Sequence, residues 1–314
     1  MAYRFEAGEQ VEAGFRRIAD EQIGKILARF DGDHNGETTI HESRKSLKRL
    51  KALLKLVRKG LSKKDYRREY DTVREAGRLL SGARDFEVMP QTLAALRGGA
   101  ANLDGTAVRH VEAAIGRARR DFETTWDRDA AIEQAIEDLQ EARQRIAKLE
   151  LAGGFDTLAA GASRCLAEFK VQGGEALASE HDEAFHEWRK SAQRHWRHLR
   201  LLQGTWPELI VARLRVTRVL ADVLGLDHDL AVLAQFVRDM PEARLKCQRR
   251  RSLLDAIGRR QNALRQEARA YAGLITADEP DSFAARLKAY RAAQGLIAAL
   301  GEPVVALQAD GAVE

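Results

Sequence analysis

One stretch of eighteen residues, Ile40 to Val57 (IHESRKSLKRLKALLKLV), returns 145 residues later as Phe185 to Leu202 (FHEWRKSAQRHWRHLRLL), and this recurrence constrains the fold most tightly. His41/His186, Glu42/Glu187, Arg44/Arg189, Lys45/Lys190, Ser46/Ser191 and Arg49/Arg194 match at the one offset. In the first copy the positions Ile40, Ser43, Leu47, Leu50, Leu54 and Val57 advance in steps of three and four, as the buried stripe of a helix does. The second copy repeats the stripe as Phe185, Trp188, Ala192, His195, Leu199 and Leu202. At about 100° per residue, His41, Arg44, Lys45, Lys48, Arg49, Lys51 and Lys55 fall on the opposite arc. His186, Arg189, Lys190, Arg194, Arg197 and Arg200 do the same in the second copy. Each copy is therefore a helix with one apolar face and one cationic face, a surface suited to a polyanion and presented twice.

The rest of the chain reads as helices around these two. A first helical pattern runs from about Gln10 to Phe30, with Val11, Phe15, Ile18, Ile26, Leu27 and Phe30 as its core positions. A polar loop follows, and Thr39 with Glu42 forms a capping box for the first basic helix. Gly60 ends that helix, and a second basic helix spans Lys63 to Leu80. The punctuation SGARDFEV opens a shorter helix towards Leu96, and long helices cover about Thr106–Trp126 and Asp129–Leu151. Gly153-Gly154 reads as a linker, after which the order restarts with a helix at Phe155–Val171 and a Gly-Gly loop. A helix after Pro207 runs to Leu224, GLDHDLAV stands where SGARDFEV stood, and helices at about Glu242–Ile275 and after Pro280 complete the chain. A frayed tail is expected after Gly301. No stretch alternates with a period of two for long enough to be a strand. The expected fold is all-α, two pseudo-symmetric helical bundles from an internal duplication, with halves at 8–151 and 155–296.

Composition matters mainly through the distribution of charge. The net charge is only +5, but His41 to Lys59 holds eight Lys/Arg and one acid, whereas Asp127 to Glu150 is acid-rich. Such segregation aims a local positive field at an anionic partner. Cys165 and Cys247 lie far apart without metal spacing, which fits buried bystanders in a reducing compartment. No apolar run approaches the ~20 residues of a membrane span, and the start lacks a signal-peptide core, so the expected location is the cytoplasm.

With both copies in view, the chain resembles the CHAD family, the conserved histidine α-helical domain. The resemblance rests on HxxRKxxxR at His41–Arg49 and HEWRKSAQRHW at His186–Trp196. The RD and HD turns at Asp85 and Asp229 and the ending EPDSFAARLKAY support it, and it covers about Gly8 to Ala293. It implies one domain of two pseudo-symmetric bundles that binds inorganic polyphosphate and associates with polyphosphate granules. By the same resemblance the ligand contacts are the thirteen His, Arg and Lys residues of the two arcs. Gln193 stands where the first copy has Lys48, and Ala52 where the second has Arg197, so the halves need not grip equally.

The residue types suit that ligand. Polyphosphate offers only charged oxygens, so recognition reduces to charge density and donor spacing, as in the backbone term of nucleic-acid binding. Arg supplies a fork and Lys a mobile point charge, spaced about 5–6 Å apart along a helix. His41 and His186 donate hydrogen bonds and gain charge near phosphates. If both arcs line one groove, charge reversal at Arg44 and Arg189 abolishes binding of long chains. Trp188 and His195 lie on the apolar stripe and read as packing residues, Trp196 as a candidate for stacking, and Asp85 and Asp229 as caps or intramolecular partners.

Asp31, Asp33, Asn35, Gly36 and Glu42 fit the spacing of a calcium loop. Thr38 stands where an apolar residue is usual, the second copy lacks the spacing, and Glu42 already has a capping role, so no metal is expected. No nucleotide-binding, hydrolase or metalloprotease motif is present, and the reading is non-enzymatic without a cofactor. A nucleic-acid-binding protein is the main rival, and a scaffold for an acidic protein partner is the third reading.

Overall fold

The computed structural model describes residues 3–31, 37–81, 84–99 and 103–300. The described residues form eleven α-helices and no strand: α1 (Val11–Phe30), α2 (Glu37–Val57), α3 (Lys63–Leu79), α4 (Arg84–Gly99), α5 (Gly105–Thr125), α6 (Arg128–Ile146), α7 (Gly154–Ser179), α8 (Asp182–Leu202), α9 (Pro207–Asp239), α10 (Cys247–Thr276) and α11 (Pro280–Ala299). The all-α expectation holds. The tail after Gly301 lies outside the described residues.

The two basic helices α2 and α8 are both 21 residues long and begin and end at the 145-residue offset. Each runs into a single 3₁₀ turn, Arg58–Gly60 and Gln203–Thr205. Helix α2 packs on α1 and α3, α8 packs on α7 and α9, and α2 also touches both α7 and α8. One continuous apolar core joins these layers.

The expected stripe is buried, from Leu47, Leu50, Leu54 and Val57 on α2 to Phe185, Trp188, Ala192, His195, Leu199 and Leu202 on α8. A second line of each helix is buried too: Ser46, Leu53 and Leu56 on α2, and Ser191, His198 and Leu201 on α8. Both helices are therefore covered on two sides, which leaves only a narrow polar face. Each buried leucine contributes about 1.5–3 kcal/mol relative to exposure. Helix α7 comes close enough to α2 that a Cβ on Gly161 would lie 2.0 Å from the carbonyl oxygen of Leu56.

Several local expectations are corrected. Gly173 and Gly174 do not form a loop, because α7 continues to Ser179 and Gly173 sits under the Trp188 indole. The stretch GLDHDL does not interrupt α9, which runs for 33 residues, whereas α3, the helix after the first basic helix, stops after 17. Leu224 and Leu230 bury on either side of the glycine, and the buried Asp227 pairs with Arg265 at 2.9 Å, so the turn-like residues serve the core. Asp229 is consequently mid-helix and not a cap, and of its two expected roles it takes that of an intramolecular partner, 3.4 Å from His228 Nδ1. Helix α2 starts at Glu37, which places Thr39 inside the first turn and removes the capping box. Cys165 is buried as expected, but Cys247 is exposed at the start of α10. Among the described residues no helix is long and apolar enough to cross a membrane.

Candidate anion-binding site

Helix α8 is fixed to α2 by a buried contact. His198 Nε2 lies 2.9 Å from the carbonyl oxygen of Ala52, which can only accept, so the ring nitrogen donates. Burial holds this histidine neutral, pushing its pKa down to about 3. The N-terminal segment crosses the same junction: Tyr3 Oη donates to the Arg49 carbonyl at 2.7 Å, and the Phe5 amide to the Leu201 carbonyl at 2.9 Å.

Cations from both helices meet around this contact. Burial depresses the basicity of Lys51, and Arg197 of α8, Arg44, Lys55 and Arg74 depress it further. Lys55 is lowered by burial and then by Arg194, against an opposing pull from Glu168. Arg197 is driven down to about 10 by burial, with Arg49, Arg218 and Arg189 adding to the effect against Tyr3. Arg200 is lowered by burial and then by Arg49. These pairings exchange under the 145-residue offset: Arg200, the equivalent of Lys55, senses Arg49, and Lys55 senses Arg194, the equivalent of Arg49.

Among the described residues, no carboxylate lies within ion-pair distance of Arg49, Lys51, Lys55, Arg197 or Arg200, all of them half-buried, and Glu168, bonded to Arg194, acts on Lys55 from farther away. Two like charges ~6 Å apart repel by about 3 kcal/mol at an effective dielectric constant near 20. A cluster of this kind opposes folding unless an anion offsets it.

The remaining arc residues differ. Lys45 and Lys190 are exposed and pair with Glu42 and Glu187 on their own helices at 2.6 and 2.5 Å. Arg194 bonds Glu168 at 2.8 Å. Arg44 donates to the Leu80 carbonyl at 3.0 Å. Lys48 and His41 are half-buried on α2, and Arg189 lies beside Gly225 of α9. His186 stacks on His228 with ring centroids 4.6 Å apart. Its pKa sits below the ordinary histidine value because of burial, then Lys190 and His228, and its Nδ1 is buried without a partner.

Three cations were not singled out from sequence: Arg74 of α3, Arg164 of α7 and Arg218 of α9. Arg164 carries a buried Nη2 without a partner. Arg74 lay in a helix already read as basic, while nothing local marks the other two. Trp196 is not open for stacking, because the guanidinium carbons of Arg197, Arg200 and Arg218 lie 5.6, 5.5 and 4.7 Å from its ring centroid. Of the calcium-loop residues, Asp33, Asn35 and Gly36 lie outside the described residues, as does the Asp85 side chain. Asp31 follows α1, and Glu42 is engaged by Lys45. No group of three or more His, Cys, Asp or Glu among the described residues is placed to hold a metal.

Fold and site together define an all-helical protein in which two matched helices share a cluster of cations. The chain belongs to the CHAD domain family, whose model matches residues 17–238. A crystal structure of the CHAD domain from the plant Ricinus communis has the same fold, with a TM-score of 0.58 at 15% sequence identity over 92% of this chain and 95% of that one. No curated protein matches the chain.

Proposed function

We propose that the protein binds inorganic polyphosphate in a groove between α2 and α8, as a binding protein and not an enzyme, at polyphosphate granules in the cytoplasm. The observation that carries the reading is the cluster of Arg49, Lys51, Lys55, Arg197 and Arg200, held together without a carboxylate partner among the described residues. A polyanion offsets the mutual repulsion of all five at once, and a single phosphate reaches only part of the set. The family resemblance drawn from the His-x-x-Arg-Lys motifs points to the same ligand.

The state of the aromatics weighs against nucleic acid. Single-stranded binders stack bases on free aromatic faces. Here three guanidiniums occupy Trp196, Arg58 lies over Tyr66, and Lys55 lies over Tyr70.

The test is calorimetric titration with long-chain polyphosphate, alongside competition against a labelled oligonucleotide. The expected result is tight polyphosphate binding that displaces the oligonucleotide and weakens at least ~30-fold in Arg49→Glu/Arg197→Glu, about 2 kcal/mol. Equal affinity of that variant, or preference for the oligonucleotide, contradicts the reading.

A further inference from the structure

A second concave site lies away from the cation cluster. Helices α4 and α10 both pack on α9 but touch one another at few places, and the gap between them is a cleft of about 870 Å³. One wall is the α4 line Val88, Thr92, Ala95 and Gly99, and the other is the α10 line Ser252, Ala256, Arg260 and Ala263. Both lines advance in steps of three and four over three helical turns, about 17 Å. Leu96, Leu230 and Leu264 are buried in the floor, and Leu226 of α9 stands 51% exposed in it. Ala95 and Ala263 on opposite walls are exposed and small, which keeps the trough open.

The rim supplies the polarity. Arg259 and Arg260 are exposed, and among the described residues no carboxylate pairs with either. The acid in the lining, Asp229 of α9, lies 3.4 Å from His228 Nδ1. An apolar trough three turns long with cations along one edge matches the helix-in-groove mode of recognition.

We propose that this cleft docks one amphipathic helix of a partner protein, its apolar stripe on Leu226 and Leu230 and its acidic flank on Arg259 and Arg260. The site is separate from the cluster between α2 and α8 and does not depend on the nature of the ligand there.

The experiment is fluorescence anisotropy of the full chain with a labelled, stapled peptide of about fourteen residues, with leucines at i, i+3, i+4 and i+7 and glutamates alongside. Controls are a peptide with the leucines replaced by serine and one with lysine in place of glutamate. The expected result is binding of the Leu/Glu peptide at least tenfold tighter than either control. Arg259→Glu/Arg260→Glu and the trough-filling Ala263→Trp each weaken it at least tenfold, with circular dichroism unchanged. Arg49→Glu/Arg197→Glu leaves it unaltered. Loss of binding only in that last variant assigns the peptide to the other site and overturns the proposal. Uptake of an apolar dye into the cleft without peptide binding overturns the helix as occupant.

Discussion

His198 of α8 donates its Nε2 hydrogen to the carbonyl of Ala52 on α2, and this bond sits where the cationic arcs of the two helices cross. The ring must stay neutral there, as must His195, which is fully buried against Phe169 and Phe283. Burial holds both pKa values below the ordinary histidine value, His198 at about 3. The unfolded chain therefore binds these two protons first as pH falls. Stability is full above about pH 6.5 and declines towards about pH 3, by up to about 1.4 kcal/mol per pH unit for each histidine. Urea unfolding at pH 7.0 and 5.0 measures the loss. His198→Gln, which keeps a donor but does not titrate, is expected to flatten the slope by about half.

Arg197 disfavours the charge on Lys51, and among the described residues no carboxylate lies within ion-pair distance of either. Replacing Lys51 by Met keeps the aliphatic stem and removes one charge from the cluster. Thermal unfolding is expected to show a gain of about 0.5–2 kcal/mol in the free protein. Titration with polyphosphate is expected to show a loss of affinity of about tenfold, about 1.4 kcal/mol. A variant less stable than the parent contradicts the claim that the cluster is repulsive.

Two glycines of α7 have opposite expectations. At Gly161 a Cβ meets the backbone of Leu56, so Gly161→Ala must push α7 off α2 and is expected to cost more than about 2 kcal/mol. At Gly174 a Cβ meets nothing within 4 Å, and the residue lies inside the helix. Gly174→Ala is therefore expected to stabilise by about 0.5–1 kcal/mol. Chemical denaturation of the two variants checks both signs.

His186, stacked on His228 near Lys190 and Arg189, has its charged form disfavoured in the free protein by burial and its cationic neighbours. A bound polyanion reverses that balance, so binding is expected to take up a proton and to tighten as pH falls from 7.0 towards 6.0. Calorimetry in buffers of different ionisation enthalpy reads the proton uptake, and His186→Gln is expected to remove it.

The periodicity of the two basic stretches was sufficient to locate α2 and α8 and their buried stripes, because helix burial repeats every three or four residues. The second buried line, Leu53 and Leu56 with His198 and Leu201, depends on α7 and the opposite basic helix lying against it, which no local pattern records. The glycines at 173 and 225 read as breaks because glycine is a poor helix former. In the structure each admits a neighbour instead, Trp188 at one and Arg189 at the other. For the site, residue identity marked the arcs, but which cations form an ion pair with a carboxylate and which do not required the folded neighbours. Arg164 and Arg218 enter the cluster only through the packing of α7 and α9.

The most direct measurement is the salt dependence of long-chain polyphosphate binding for three proteins: the parent, Arg49→Gln/Lys51→Gln/Lys55→Gln on α2, and Arg194→Gln/Arg197→Gln/Arg200→Gln on α8. Each phosphate contact adds about 0.7 to the steepness of log K against log salt for a single-stranded polyanion. With one chain lying across both helices, both triple variants are expected to lose affinity and to flatten that slope by about 2. A parent-like slope in either triple variant would mean that only one helix meets the ligand, and would contradict the shared groove.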